Sequence, residues 1–325
     1  MSAARSSVYV LAWMFPLGAM LGGDMACAQD FPTKQVRVIT SEAGGGSDLP
    51  ARVLTQGLTP IFGQPIVIEN RGGGPITAAD AMQKAAPDGY TLLFYGNSLW
   101  TLPLMRTGLN YDMNRDYAPI SMAIVTPEVL VVHPSLPVKS VKELIAFIKA
   151  RPGQLNNSSA SGGSANNLAA ELFKSMAGLN MVRIAYKGHA SALNAVAGGE
   201  VQVFFPVVGP GMQLVKTGRL RALAVTSAQP TSLAPGIPTV ASSGLPGYVS
   251  VFTAGMFAPA GTPAAIISKL NRDIAQVLQR PEVKEKLFGM GMDAMGGTPQ
   301  EFAAALKDEM NVMGKVIKER NIRDD

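Results

Sequence analysis

VRVITSEAGGGSDLPARVLTQGL, residues 36–58, is the stretch on which the fold turns. Residues 36–40, VRVIT, read as an apolar strand, and from about Asp48 to Leu58 the pattern reads as a helix. Between them stand three consecutive glycines, Gly44 to Gly46. A glycine run loses more conformational entropy on folding than any other, so the junction needs an offsetting use. A tight turn, a close approach of backbone to a ligand, and a flexible linker are the three candidates.

Working outward, strand-like and helix-like segments alternate along most of the chain. PIVIE (65–69) precedes TAADAMQKAA; YTLLFY (90–95) follows the turn PDG; VLVVH (129–133) comes after a further apolar stretch. In KSVKELIAFIKARPG, Ser140 and Glu143 have capping-box spacing and Pro152-Gly153 stop the helix. QLNNSSA, MVRIAY, VQVFF and LRALAVTS read as strands, separated by NNLAAELFKSMAG, SALNAVAGG and GMQLVKTG as helices. Such alternation, with continuous apolar strands, implies an α/β protein whose sheets are mostly parallel and flanked by helices. After a Pro- and Gly-rich stretch (229–247), VFTAGMFA reads as a strand, and two helices follow, opened by Thr262-Pro263 and Thr298-Pro299. Thr is expected to cap each, and Glu301 adds a capping box to the second.

The glycine device occurs twice. Gly45-Gly46-Ser47 and Gly162-Gly163-Ser164 each lie between a strand and a helix. A linker would not recur at that junction, so the linker reading drops out. A helix N-terminus exposes unpaired N–H groups and partial positive charge, and glycines let an anion approach that backbone. In open α/β sheets the binding crevice lies beyond the carboxyl ends of the strands, where both loops fall. Two such loops facing each other would clasp a small anion, although capping and tight turns also call for Gly and Ser. Asn97 and Ser98 in YGNSLW, and Tyr186, Lys187 and His189 in YKGHAS, occupy similar junctions. Lys187 is a candidate counter-ion for a carboxylate. His189 reads as a surface residue at a helix start, and His133 as a strand-end residue before Pro134.

Residues 1–28 have the layout of a secretory signal peptide: Arg5, an apolar run from Val8 to Leu21, and Ala26-Cys27-Ala28 at the end. Cleavage is expected after Ala28. Cys27 is the single cysteine in 325 residues, so the mature chain would rest on its core without disulfides. No later apolar run is long enough to span a bilayer. Net charge is +5, with Lys and Arg scattered and no basic block interleaved with aromatics, which argues against nucleic acid as a partner. With two isolated histidines and no mature cysteine, zinc spacing and a Cys nucleophile are excluded. Neither Gly96-Asn97-Ser98 nor Gly162-Gly163-Ser164 completes a nucleophile elbow. GMGMDA (289–294) fits a dinucleotide fingerprint on paper, but follows a helix instead of a strand.

GGGSDLPAR, GQPIVIENRGG, AAPDGYTLLF, VLVVHPSLPVKSVKELIAFIKARPGQLN, LAAELFKSMAGLNMVRIAYKG, TGRLRALAVTS, IPTVASSGLPGY, APAGTP and GGTPQEF follow one another in this order. In these landmarks the chain resembles the substrate-binding receptors of tripartite tricarboxylate transporters, the Bug group of periplasmic binding proteins. The resemblance implies two α/β lobes of type II periplasmic-binding-protein kind, residues 29–128 plus 254–325 and residues 129–253, with the ligand cleft between them. It also implies a periplasmic receptor, not an enzyme and without a cofactor or metal, that delivers a small carboxylate or amino acid to membrane transporter subunits. A monomer is expected. The ligand residues it implies are Ser41, Glu42, Ala43, Gly44, Gly45 and Ser47 with Asn97 and Ser98 from the first lobe. Ser159, Ser161, Gly163 and Ser164 with Tyr186, Lys187 and Phe205 come from the second. Family loops usually read Phe-Pro-Pro where Ser41-Glu42-Ala43 stand here, Asp is common at Pro206, and an aromatic at Thr253. A carboxylate beside an anion site either turns outward or receives an ammonium or hydroxyl group of the ligand. An exported α/β hydrolase, or a binding subunit feeding a sensor kinase, are the alternative functions.

Overall fold

The computed structural model describes residues 31–160, 164–319 and 321–323; the expected signal peptide, Ser161 and Gly163 lie outside them. Two sheets organise the chain. β1 (Val36–Thr40), β2 (Ile66–Asn70), β3 (Thr91–Gly96), β4 (Tyr117–Pro127), β10 (Val251–Pro259) and β11 (Asp293–Ala294) form the first, ordered β11-β4-β10-β3-β1-β2. β5 (Val129–Val132), β6 (Asn156–Ser159), β7 (Val182–Ala185), β8 (Val203–Phe204) and β9 (Arg221–Val225) form the second, ordered β7-β6-β8-β5-β9. Both sheets are mixed, which corrects the expectation of mostly parallel pairing. β1 pairs parallel with β2 and β3, and β6 with β7 and β8, whereas β10 runs antiparallel to β3 and β4, and β5 to β8 and β9. Parallel pairing arises where a helix carries the chain back across a sheet, as α1 (Asp48–Phe62) does after β1 and α6 (Ala165–Ala177) after β6. β10 enters from the other sheet, so no such crossover sets its direction.

Helices cover both faces of each sheet, because successive strand side chains point to opposite faces and both faces here are apolar. In the first lobe α1, α9 (Ala264–Gln279) and α10 (Pro281–Gly289) bury Val36, Val38 and Phe94. On the opposite face α2 (Pro75–Gln83), α3 (Ser98–Met105) and α11 (Pro299–Glu319) bury Ile39, Leu93 and Tyr95, next to the short α4 (Met113–Asp116). In the second lobe α5 (Val141–Lys149) and α6 cover Leu130, Val132 and Phe205. α7 (His189–Ala197) and α8 (Val208–Lys216) cover Val129, Val131 and Phe204. Truncating a fully buried member such as Leu54 or Phe94 to Ala would cost roughly 2–5 kcal/mol. The end of α11 reaches over to the second lobe, where Met313 and Ile317 pack with Leu168 of α6.

The helix starts follow the sequence unevenly. Thr298 and Glu301 form the expected reciprocal cap, Thr298 N–H donating to Glu301 Oε2 at 2.7 Å and Glu301 N–H to Thr298 Oγ1 at 3.1 Å. Thr262 does not cap α9. Its hydroxyl donates back to the Pro259 carbonyl at 2.8 Å, and Pro263 takes the cap position. Among the described residues, no helix is long and apolar enough to cross a membrane.

Two crossing segments join the sheets: residues 127–129 between β4 and β5, and the return through residues 226–250 between β9 and β10. They are tied side by side. Glu128 N–H donates to Thr226 Oγ1 at 2.8 Å, Thr226 N–H to the Glu128 carbonyl at 2.9 Å, and Ser250 N–H to the Thr226 carbonyl at 3.0 Å.

Candidate functional site

The loop between β1 and α1 is held from beneath by one carboxylate. Asp48, the buried first residue of α1, accepts from Gly44 N–H at 2.9 Å, Arg52 Nε at 3.1 Å and Asn70 Nδ2 at 2.7 Å. Asn70 Nδ2 also donates to the Ser41 carbonyl at 2.8 Å. Burial alone would raise the Asp48 carboxyl, but hydrogen bonds from Arg52, Asn70 and Gly44 outweigh it and hold it below its ordinary value. Gly44 takes φ +75°, a conformation that L side chains rarely adopt, and Gly45 N–H closes a turn onto the Glu42 carbonyl at 2.9 Å. The Ser47 hydroxyl, at the cap position of α1, makes no capping bond.

Across from this loop, the second lobe offers the starts of α6 and α7. Asn166 Oδ1 accepts from Ala160 N–H at 3.0 Å and from the Ser164 hydroxyl at 2.8 Å, so one amide binds the end of β6 to the first turn of α6. The Asn166 Nδ2 faces His189 Nδ1 at 3.3 Å. The imidazole leans on Phe204 with ring centroids 5.4 Å apart, and burial pushes it down to about 4.

Between the lobes lies a cavity of about 390 Å³, a size suited to a small molecule. From the first lobe its wall includes Ser41, Glu42, Gly44, Gly45, Gly46, Ser47, Tyr95, Ser98 and Phe252; from the second, Ser164, Asn166, His189 and Gln213; and from the crossing segment, Glu128. Leu49, Leu193, Val207, Met290 and Met292 add apolar wall. Among the described residues, no Lys or Arg lines it. Glu42 faces inward: its Oε1 would lie 3.9 Å from a Cβ placed on Gly188, the residue at the cap of α7 in the other lobe. Tyr95 has its hydroxyl pushed up by burial, with the Glu42 charge adding to it. Glu128 is wholly buried; Ser250 Oγ donates to its Oε2 at 3.3 Å, Oε1 has no hydrogen-bond partner among the described residues, and burial pushes the carboxyl up to about 8.

Of the residues expected at the ligand, Ser41, Glu42, Gly44, Gly45, Ser47, Ser98 and Ser164 line this cavity. Ser161 and Gly163 lie outside the described residues. Six others are placed elsewhere. Ala43 is exposed and is not part of the cavity wall. Asn97 is buried behind the wall, its Nδ2 donating to the Val251 carbonyl at 3.0 Å and to Glu309 Oε1 at 3.1 Å. Glu309 also accepts from Trp100 Nε1 and Thr253 Oγ1, so these four polar residues join β10, α3 and α11. Ser159 is buried, its hydroxyl accepting from Arg183 Nε at 2.7 Å. Tyr186 directs its hydroxyl to Glu200 at 2.8 Å, and Lys187 is exposed. Phe205 packs in the second-lobe core, its ring centroid 5.7 Å from that of Phe173. Conversely, Glu128 and His189 belong to the wall. His189 carries the larger correction, since a helix-start histidine reads as a surface residue when the neighbouring helix start is unseen. The one signal for Glu128 was a lone acid amid the apolar residues 117–132.

Two mixed sheets flanked by helices, with a cleft between them, are the architecture of the periplasmic-binding-protein-like fold, which similar solved structures share. Residues 50–322 match the tripartite tricarboxylate transporter family receptor, TctC, and the chain belongs to that family. Protein BugT of Bordetella pertussis is 34% identical over 299 residues, covering 90% of this chain and 91% of its own. The structure of Rpa4515 of R. palustris with adipate is similar at TM-score 0.84 and 32% identity, over 90% of this chain and 99% of that one. MatC of Rhodopseudomonas palustris, with bound malate, is similar at TM-score 0.81 and 26% identity, over 88% of this chain and 100% of that one.

Proposed function

We propose that this protein is a periplasmic receptor that captures a small organic acid or amino acid for the membrane subunits of a tripartite tricarboxylate-type transporter. The observation that carries the reading is the meeting of two helix starts from opposite lobes, at Ser47 and Ser164, in one cavity that no Lys or Arg among the described residues lines. A carboxylate there would be held by backbone N–H groups, hydroxyls and the partial charge of helix N-termini. The solute classes of the similar proteins, adipate and malate, agree with that chemistry. The inward Glu42 adds a condition: a guest with an ammonium or hydroxyl group near one end would satisfy it, and a second carboxylate at that end would be repelled. The lobes divide near residues 128 and 253, and a guest bridging both favours the closed form because it gains contacts only there.

The hydrolase alternative finds little support in the same wall. His189 faces an amide where a catalytic imidazole would be oriented by a carboxylate, and burial makes it a weak base. A thermal-shift screen of monocarboxylates, dicarboxylates and zwitterionic amino acids tests the receptor reading, since a ligand bound only by the native state raises Tm. A shift with at least one acid is expected. No shift with any of them, or turnover of an ester or amide, would refute it.

A further inference from the structure

His189 is the feature of the wall that the receptor reading leaves unused. It is one of two histidines in the chain and the first residue of α7. His189 is half-buried, its Nε2 is shut away from solvent, and among the described residues that atom has no hydrogen-bond partner. Buried polar atoms are nearly always paired, so an orphan in the wall of a binding cavity calls for an explanation.

The hydrogen bonds around Asn166 assign the proton. A backbone N–H can only donate, so the Asn166 atom that Ala160 N–H meets at 3.0 Å is the carbonyl oxygen. The Ser164 hydroxyl donates to the same oxygen. The other amide atom is therefore the NH₂ group, and it is this group that stands 3.3 Å from His189 Nδ1. An NH₂ group has no lone pair to offer, so Nδ1 must be the acceptor and cannot carry a proton. Burial keeps the ring uncharged through the neutral range, since it titrates only near 4. An uncharged imidazole with a bare Nδ1 holds its proton on Nε2. The orphaned atom is thus a donor, locked in that role by the amide that also ties β6 to α6.

We infer that His189 is a ligand-binding residue of the second lobe, giving a hydrogen bond from its uncharged Nε2–H to a carboxylate oxygen, with Asn166 positioning it by fixing the tautomer. The inference rests on the receptor reading and deepens it. An uncharged donor explains how a wall bearing the acids Glu42 and Glu128, and no Lys or Arg among the described residues, receives an anion. It provides a directed bond without a counter-charge, and so reads the position of one carboxylate oxygen more than the total charge of the guest. Binding must draw Nε2 into reach of the cavity, so the ring, or the start of α7, shifts when the guest enters.

The test uses the chain beginning at Gln29, with adipate, malate, benzoate and glutamate as probes. Long-range ¹H–¹⁵N spectra of the imidazoles, assigned with a His133→Gln variant, should show His189 protonated on Nε2 and bare on Nδ1 from pH 6 to 8. A proton on Nδ1 overturns the inference. For the probe that binds wild type most tightly, His189→Phe should weaken binding about tenfold to a hundredfold, as expected for a lost bond to a charged acceptor. His189→Gln, whose amide nitrogen can stand where Nε2 does, should recover most of it. Equal binding by wild type and His189→Phe overturns the inference and leaves the receptor reading standing. Failure of all four acids to bind wild type overturns both. Should His189→Phe not fold, the wild-type spectra with and without the bound probe decide: a shifted Nε2 resonance supports the bond, an unmoved one refutes it.

Discussion

Replacing Glu128 by Gln should make the protein more stable at pH 8 and leave it nearly unchanged at pH 5. The carboxyl is wholly buried in the crossing segment, with one weak donor at 3.3 Å from Ser250, and burial lifts it from 4.5 to about 8. Below pH 4.5 the group is protonated in the folded and unfolded chains alike, and the fold is not penalised. Between 4.5 and 8 only the unfolded chain releases the proton, so stability falls by about 1.4 kcal/mol for each pH unit gained. Integrated from 4.5 to about 8 the loss is about 5 kcal/mol, of which about 3 kcal/mol has accrued at pH 7. Gln carries no such proton and keeps a polar atom for Ser250. His189 contributes with the opposite sign, its stabilisation being lost as pH falls from 6.5 towards about 4, but wild type and variant share that loss and it cancels in their difference. Urea titrations at half-unit steps from pH 5 to 8.5, followed by fluorescence of the buried Trp100, give both stability curves. The advantage of the variant should grow steadily with pH and level off above 8. Curves that stay parallel to within about 0.5 kcal/mol would mean that the carboxyl ionises as it does in water, refuting the reasoning.

Three further outcomes follow from the geometry. A Cβ on Gly209 of α8 would collide with the Met290 carbonyl oxygen of the other lobe, so Gly209→Ala should hold the lobes apart and weaken binding at least tenfold. Ala is otherwise the better helix residue by about 1 kcal/mol, so a variant that binds and compacts with ligand like wild type, by calorimetry and X-ray scattering, removes the clash as a control on closure. Glu42→Gln should shift preference from amine-bearing acids towards dicarboxylates by about tenfold, read as a ratio of dissociation constants; an unchanged ratio places that carboxylate away from the guest. Asp48→Ala takes the acceptor from Gly44 N–H and one of two acceptors from each of Arg52 and Asn70, and should cost about 2–3 kcal/mol in urea titrations, whereas an unchanged midpoint would show that the loop is held by other means.

Much of the fold was legible because it rests on local rules. VRVIT and VLVVH are strands by continuous apolar content, Ser140 and Thr298 sit at helix starts with Glu three residues on, and each glycine loop lies where a strand gives way to a helix. Strand direction was less legible, since β10 arrives from the other lobe and nothing within VFTAGMFA says which neighbours it will meet. Thr253 shows the same limit: the departure was visible, but its partner Glu309 stands on a helix more than fifty residues away.

The sequence by itself determined the α/β class, the two glycine-bearing junctions and the likeness to the receptor family, because these depend on periodicity, caps and ordered landmarks within short windows. Tertiary structure alone decided the chemistry of the wall. It buried Asn97 and Ser159 behind the cavity, turned Glu42 inward, and made a lone acid at residue 128 and a helix-start histidine at residue 189 part of the same hollow. Charge state, tautomer and exposure are set by whatever the rest of the chain folds against a side chain, and a linear reading sees only its immediate neighbours.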